Sequence, residues 1–125
     1  MIGIGDFDAK ARNTRKVVTR EGQKLYMGKK YAVEQKTGYY ICTSGNRKRL
    51  HIAIWEHEHK RDVPEGCVIH HLDWNKTNNN INNLICLTVA EHERIHNIIG
   101  GEAGKKWGYE LIATRTIDGL PPDVI

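Results

Sequence analysis

The chain has 125 residues, a formal net charge of +4 at pH 7 and three cysteines. This length allows one compact core with appendages, since domains cluster at roughly 100 to 150 residues. There is no apolar run of about 18 residues and no secretory-signal pattern, so we expect a cytoplasmic protein without a membrane span. Cys42, Cys67 and Cys86 form no C-x-x-C pair, which argues against zinc-ribbon and redox motifs.

The two halves of the chain differ in charge. Residues 1–61 carry 14 Lys and Arg against 6 Asp and Glu, whereas residues 62–125 carry 5 against 9. Lys and Arg release counterions when they bind a phosphate backbone. The first half therefore predicts a polyanion-binding surface, with a merely solvated basic face as the alternative.

The first predicted elements are an arm, a set of strands and a helix. Residues 1–22 are polar and basic with little apolar periodicity, which predicts a flexible arm. Short runs rich in Tyr, Val and Ile then alternate with turn-like segments, which is typical of a small antiparallel β-hairpin region. Apolar spacing predicts a helix over about residues 52–60. The strands are expected at residues 31–34, 39–43 and 49–52.

Two further strands and a long loop follow. Apolar runs at residues 67–72 and 84–88 predict the strands, and "DWNKTNNNINN" between them predicts an Asn-rich loop. Asparagine tolerates left-handed backbone and bonds its own main chain. We therefore expect most of the six asparagines in this segment to serve only to fold the loop.

A capped helix completes the predicted core. Thr88 and Glu91 have the spacing of a capping box, and two glycines follow Ile99, so the helix is expected to end there. Residues 102–125 form a C-terminal extension. For this extension the sequence leaves a strand and a partner contact as open alternatives.

The predicted helix carries two histidines at metal-ligand spacing. His92 and His96 lie four residues apart, which places their side chains on one face with Cβ atoms about 5 to 6 Å apart. Residues 92–96 also fit H-E-x-x-H, in which Glu93 would be the general base of a zinc protease. No histidine follows His96 to serve as a third zinc ligand. The basic first half also has no evident part in peptide hydrolysis. The protease is therefore the weaker hypothesis.

Two adjacent histidines lie upstream on a predicted strand. Successive strand side chains point to opposite faces, so His70 and His71 cannot easily bind one metal ion together. One of them can ligate a metal while the other acts as a base.

The run "RLHIAIWEHEHKRDVPEGCVIHHLDWNKTNNNINNLICLTVAEHERIH" resembles an HNH endonuclease of the type common in phages and mobile introns. The usual run in that family reads much like H-H-x-D-G-N-K-x-N-N-x-x-x-N-L, followed by T-x-x-E-H or T-x-x-E-N. The resemblance covers about residues 49–96. It implies an α+β fold, in which a ββα-metal (His-Me finger) core at about residues 67–99 lies within a nuclease domain of residues 23–101.

The resemblance also implies roles for five residues. His70 and His92 match metal ligands, and His96 matches an additional ligand of the colicin-type branch, which would give a three-histidine site. His71 matches the general base. Asn83 matches the middle Asn of the motif, which braces the loop and orients His71.

The implied activity is metal-dependent hydrolysis of DNA phosphodiester bonds that leaves 5′-phosphate and 3′-hydroxyl ends. The cofactor would be one divalent cation, Mg²⁺, Mn²⁺, Zn²⁺, Ni²⁺ or Co²⁺. A homodimer or other phage proteins are further candidate partners, and a DNA-binding module with a structural metal is the alternative function. Phosphate contacts are expected from a basic set consisting of Lys29, Lys30, Arg47, Lys48, Arg49 and Lys76.

The chain departs from the family pattern in two ways. Trp74 replaces the common Gly after Asp73, which leaves the turn type open and offers a stacking or packing surface. Histidine also stands at metal positions where many relatives have Asn or Asp. Imidazole suits Zn²⁺, Ni²⁺, Co²⁺ or Mn²⁺ better than Mg²⁺, which prefers oxygen ligands.

Overall fold

The structure, a computed structural model, describes residues 23–116, 118–122 and 124. It divides into two compact units, the first ending at Leu50 and the second beginning at His51. The predicted arm, residues 1–22, lies outside the described residues. Across the described part of the chain, no helix is both long and apolar enough to cross a membrane.

The first unit contains a three-stranded antiparallel sheet. Its strands, in spatial order, are β1 (Lys24–Tyr26), β2 (Lys29–Val33) and β3 (Tyr40–Cys42). Met27 and Gly28 join β1 to β2 with positive φ angles of 50° and 77°, which is the backbone twist favoured in two-residue hairpins. The strands expected at residues 31–34 and 39–43 are confirmed, and β1 is an additional strand.

The third predicted strand, at residues 49–52, is wrong. Arg49 makes only an isolated bridge to Ile41, and helix α1 (Leu50–His59) begins at the next residue. The short alternation of polar and apolar residues fits either structure, but a helix buries Leu50 and Trp55, which are 2% and 1% exposed. The helix expected at about residues 52–60 is confirmed and begins slightly earlier.

The core of the second unit is a two-stranded antiparallel sheet. β4 (Cys67–His71) pairs with β5 (Leu84–Thr88), with His70 opposite Ile85 and His71 opposite Leu84. Four of the five β5 residues are buried, because apolar clusters cover both faces of the hairpin. One cluster contains Trp55, Ile69, Leu84, Cys86 and Leu120, and the other contains Leu72, Ile85, Leu87 and Ile95.

Helix α2 (Val89–Glu93) follows β5 directly and begins with the predicted capping box. Thr88 Oγ1 accepts a hydrogen bond from the Glu91 N–H at 3.1 Å, and the Glu91 carboxylate accepts one from the Thr88 N–H at 2.9 Å. From Arg94 to Ile99 the helix widens into a π-helical turn. Such turns are rare and frequently lie at functional sites.

The π-helical turn ends at Gly100, as predicted, but a further helix follows at once. Helix α3 (Gly101–Leu111) occupies much of the extension for which a strand or a partner contact was left open. Gly104 and Gly108, four residues apart, lie on the face of α3 that approaches Ile95. A Cβ atom at Gly104 would collide with the Ile95 carbonyl oxygen, so glycine is what lets the two backbones approach this closely.

The chain after α3 is tied back to β5 and α2. A short 3-10 turn spans residues 112–114, and the Arg115 guanidinium then donates to the Cys86 carbonyl at 2.8 Å and to the Glu91 carboxylate at 2.6 Å. The Arg115 side chain is only 4% exposed. Glu91 therefore caps α2 and anchors the C-terminal segment with the same carboxylate.

Candidate metal centre and its loop

Three histidines converge in the second unit. His70 lies near the end of β4, His92 lies on α2 and His96 lies on the π-helical turn. Their ring centroids are 4.6 to 5.6 Å apart, and the nitrogens available as ligands all lie within 4.8 Å of one another. These are the three residues predicted as metal ligands, and the fold brings them together.

The chemistry of these side chains fits a divalent metal ion. His70 is 5% exposed, and burial, followed by the neighbouring His96 and His92, lowers its pKa to about 3. Burial also lowers the pKa values of His92 and His96, so all three rings are neutral at neutral pH and have a lone pair to offer.

One atom in this cluster lacks a hydrogen-bond partner. His70 Nε2 is buried and has none among the described residues. A Cβ atom added at Gly108 of α3 would lie 3.8 Å from it, at ordinary van der Waals contact, so α3 passes directly beside the ring. A buried polar atom without a partner is unfavourable, and a metal ion would satisfy it.

His71 faces the opposite side of β4. Its Nε2 lies 2.8 Å from Asn79 Oδ1, and its ring centroid lies 4.6 Å from that of His51. An amide oxygen can only accept, so Nε2 carries the hydrogen and Nδ1 has the lone pair. Burial lowers the pKa of His71, so the ring is neutral at neutral pH, which is the state that a general base needs.

Asn83 braces the Asn-rich loop from the start of β5. Its amide nitrogen donates to Asp73 Oδ1 at 2.9 Å and to the Asn78 carbonyl at 2.8 Å, and its amide oxygen accepts from the Asp73 N–H at 3.1 Å. The structure thus shows the bracing expected of Asn83. The ring nitrogen of His71 is held by Asn79, which the sequence did not single out.

Asp73 is the charged centre of the same loop. It accepts hydrogen bonds from the side chains of Asn78 and Asn83 and from the Asn75 N–H. Burial raises the pKa of Asp73, but these hydrogen bonds outweigh it and the net pKa is lowered. Asp73 is therefore ionised and holds the loop together between the two strands.

Trp74 lies in a turn whose backbone the sequence left open, and it has a positive φ angle. Its φ angle is 64°, in the left-handed region where a glycine is unstrained and a large side chain is rare. The indole packs against the apolar cluster beside the histidines, and its ring lies 4.5 Å from that of His96. The common Gly of the family run therefore stands where the backbone demands positive φ, and Trp74 adopts it at a steric cost of about 1 to 3 kcal/mol.

Glu93, the base that a zinc protease would need, lies on the exposed helix surface. Its carboxylate accepts a hydrogen bond from the Asn97 side chain at 2.9 Å. The third histidine of the cluster comes from β4, upstream of the H-E-x-x-H segment. This placement favours a surface role for Glu93.

Five of the six predicted DNA-contacting residues belong to the first unit, and three of these are exposed lysines. Lys29 and Lys30 begin β2, and Lys48 lies in the segment after β3. The Lys30 and Lys48 carbonyls accept hydrogen bonds from the adjacent Thr43 and Cys42 N–H groups at 3.0 and 2.8 Å. The backbones of Lys30 and Lys48 are thus brought together at the end of β3.

The two predicted arginines are less exposed than these three lysines. Arg49 places its guanidinium 4.2 Å from the centroid of the Tyr39 ring, a cation–π contact. Arg47 is half-buried and has a positive φ of 59°. Lys76 belongs to the second unit, where it is exposed on the loop that carries Asp73 and Asn79.

An antiparallel hairpin and a following helix that gather histidines from both elements define the ββα-metal class of proteins. Residues 48–94 match the model of a family described as HNH endonuclease. The match includes His70, His71, Asn83 and His92 and ends before His96. No curated protein and no solved structure matches the chain. The match of residues 48–94 to this family confirms the resemblance, and the mixed strands and helices of the structure confirm the α+β fold that it implies.

Proposed function

We propose that the protein is a metal-dependent HNH endonuclease that hydrolyses phosphodiester bonds in DNA. The main support is the β4–β5 hairpin, which presents one histidine to a metal-ligand cluster and its neighbour, held by an asparagine, to the opposite face. Hydrolysis of a phosphodiester needs these two functions, a base for water and stabilisation of negative charge. The family match at residues 48–94 supports the same activity.

His70, His92 and His96 would hold one divalent cation. When bound, such an ion supplies Lewis-acid stabilisation of charge on the phosphoryl oxygens and on the departing 3′ oxygen. The three rings are neutral at neutral pH because burial lowers their pKa values, so no proton has to leave them first. An all-imidazole set favours Zn²⁺, Ni²⁺, Co²⁺ or Mn²⁺ over Mg²⁺.

His71 would act as the general base through Nδ1. Burial lowers the pKa of His71, whereas the hydrogen bond to Asn79 and the charge of Asp73 raise it, and Lys76 lowers it. The Asn79 and Asp73 contributions favour the imidazolium that forms when the ring takes a proton from water. Because Asn79 Oδ1 keeps accepting from Nε2–H in both protonation states, the ring keeps its orientation throughout.

The basic set defined above would hold the DNA backbone. Lysine and arginine contacts to phosphates position a duplex without reading its sequence. Lys76 would reach a phosphate beside the metal, since it lies on the loop that carries Asn79. We further propose 5′-phosphate and 3′-hydroxyl ends and a phage or mobile-intron setting, as the family resemblance implies. With one such site among the described residues of each chain, a double-strand cut requires a dimer or two encounters.

Plasmid nicking by purified protein tests this proposal. Wild type, His71→Ala and Glu93→Ala are assayed with each of the five divalent cations and with EDTA. We expect metal-dependent nicking that falls by about 10²- to 10⁴-fold in His71→Ala, the usual cost of losing a general base, and persists in Glu93→Ala. Calorimetry should show that His71→Ala still binds the metal.

Other outcomes would point to the other functions. If wild type bound DNA and metal without cutting, the protein would be a DNA-binding module with a structural metal. If wild type cleaved casein and Glu93→Ala did not, it would be an H-E-x-x-H protease. A His71→Ala variant that nicked at the wild-type rate would remove His71 from the mechanism.

A further inference from the structure

Trp74 lies beside the cluster of His70, His92 and His96, and both its backbone conformation and its surroundings are unfavourable for a tryptophan. Its backbone is left-handed, with φ at 64°, and its indole Nε1 is buried without a hydrogen-bond partner among the described residues. A glycine at this position would have neither disadvantage. The side chain must therefore contribute interactions that offset both.

The Trp74 indole contacts His96. The Trp74 and His96 ring centroids are 4.5 Å apart, with an interplanar angle of 39°. The indole also packs against the apolar cluster of Leu72, Ile85, Leu87 and Ile95. Trp74 thus connects the Asn-rich loop to the π-helical turn.

His96 differs from the other two histidines in what holds it. His70 is fixed by burial in β4, and His92 lies in the capped first turns of α2. His96 lies in the π-helical turn that follows α2 and, like His92, is half-buried. Its ring lies against the Trp74 indole, which restricts the directions that the ring can take.

The family resemblance supplies a second observation. The family run commonly has Gly where this chain has Trp74, and this replacement lies against His96, 22 residues later in the sequence. We infer that Trp74 is a positioning residue that holds His96 as the third metal ligand. This inference rests on the proposed function, since it concerns the same metal site.

Metal affinity of the full chain tests the inference without using cleavage. Zn²⁺ and Co²⁺ binding are measured by competition with a chromophoric chelator for wild type, Trp74→Gly, Trp74→Leu and Trp74→Phe. We expect Trp74→Gly and Trp74→Leu to weaken binding by about 10- to 100-fold, the usual effect of removing a group that orients a ligand. Trp74→Phe keeps an aromatic ring against His96 and should restore affinity to within about threefold of wild type.

A matched control and a double variant separate positioning from general packing. Trp107 packs on the same apolar cluster, so Trp107→Leu, the change that weakens binding at position 74, should leave the affinity unchanged. If Trp74 acts through His96, then Trp74→Gly should cause no further loss in a His96→Ala background. The visible spectrum of bound Co²⁺ should then shift in Trp74→Gly toward that of His96→Ala.

Two results would overturn the inference. One is wild-type affinity in both Trp74→Gly and Trp74→Leu, and Trp74→Leu decides alone if the glycine variant does not fold. The other is an equal loss from Trp74→Gly with and without His96. A wild-type chain that binds no metal overturns the proposed function as well, whereas a wild type that binds metal and cuts, with unaffected Trp74 variants, overturns this inference alone.

Discussion

We expect acid to destabilise the metal-free protein because His70 is buried and has a lowered pKa. In the folded chain the pKa of His70 is lowered from 6.5 to about 3, so below pH 6.5 the unfolded chain binds a proton that the folded chain does not. Stability is therefore unaffected by this residue above pH 6.5 and falls as the pH drops toward 3. Stability falls in acid because the His70 ring stays neutral in the folded state and becomes charged in the unfolded state.

The size of the effect follows from the pKa difference. Each pH unit between the two pKa values corresponds to about 1.4 kcal/mol of differential protonation. At pH 5 the loss from His70 alone is therefore about 2 kcal/mol relative to pH 7.5. That is a large share of the stability of a small domain, which is typically about 5 to 15 kcal/mol.

Urea unfolding in EDTA at pH 7.5, 6 and 5 measures this loss, with His70→Asn as the non-titrating comparison. His71, His92 and His96 also have lowered pKa values, so both proteins should lose stability in acid. The wild type should lose about 2 kcal/mol more than His70→Asn between pH 7.5 and 5. Parallel pH profiles of the two proteins would show that burial of His70 does not have the proposed electrostatic effect.

Three further substitutions test other parts of the structure. Gly104→Ala should lower the free energy of unfolding by about 1 to 3 kcal/mol in urea titrations, because its Cβ collides with the π-helical turn; a gain would contradict the close approach. Arg115→Ala should lower the melting temperature, at a cost of about 3 kcal/mol, because it leaves Glu91 without its buried partner, and an unchanged melting temperature would count against the anchor. Asn79→Ala should lower kcat about tenfold or more while metal affinity stays constant, because the His71 ring loses its orientation; an unchanged kcat would exclude this role.

Local patterns were sufficient to predict the hairpin and helix of the site. Strand alternation separates His70 from His71, and the capping box at Thr88 depends on residues only three apart. The clustering of the three histidines could be predicted because two share a helix face and the family run supplied the third. Each of these signals is contained in a few neighbouring residues.

The remaining features depend on tertiary contacts that short patterns do not contain. Six asparagines between Asp73 and Leu84 are chemically alike, so nothing in the sequence distinguishes Asn79, which bonds His71. Helix α3 was not predicted because Trp107, Tyr109 and Leu111 alternate weakly with other residues, as in a strand, and Gly104 and Gly108 lower helix propensity. In the fold these two glycines allow the close approach to Ile95, which the sequence does not reveal.

The arrangement of the site depends on the register of β4, because His70 and His71 are adjacent and face opposite sides of the sheet. Pairing with β5 fixes which side of the sheet each ring faces, since a shift by one residue turns every side chain to the other face. A one-residue insertion or deletion early in β4 that kept the strand paired would turn both His70 and His71 to the opposite face. His71 would then lie on the face of the histidine cluster, and His70 would lie on the face of Asn79. Such a protein would retain every histidine without the arrangement on which the proposed activity depends, so a survey of motif residues alone would not detect the change.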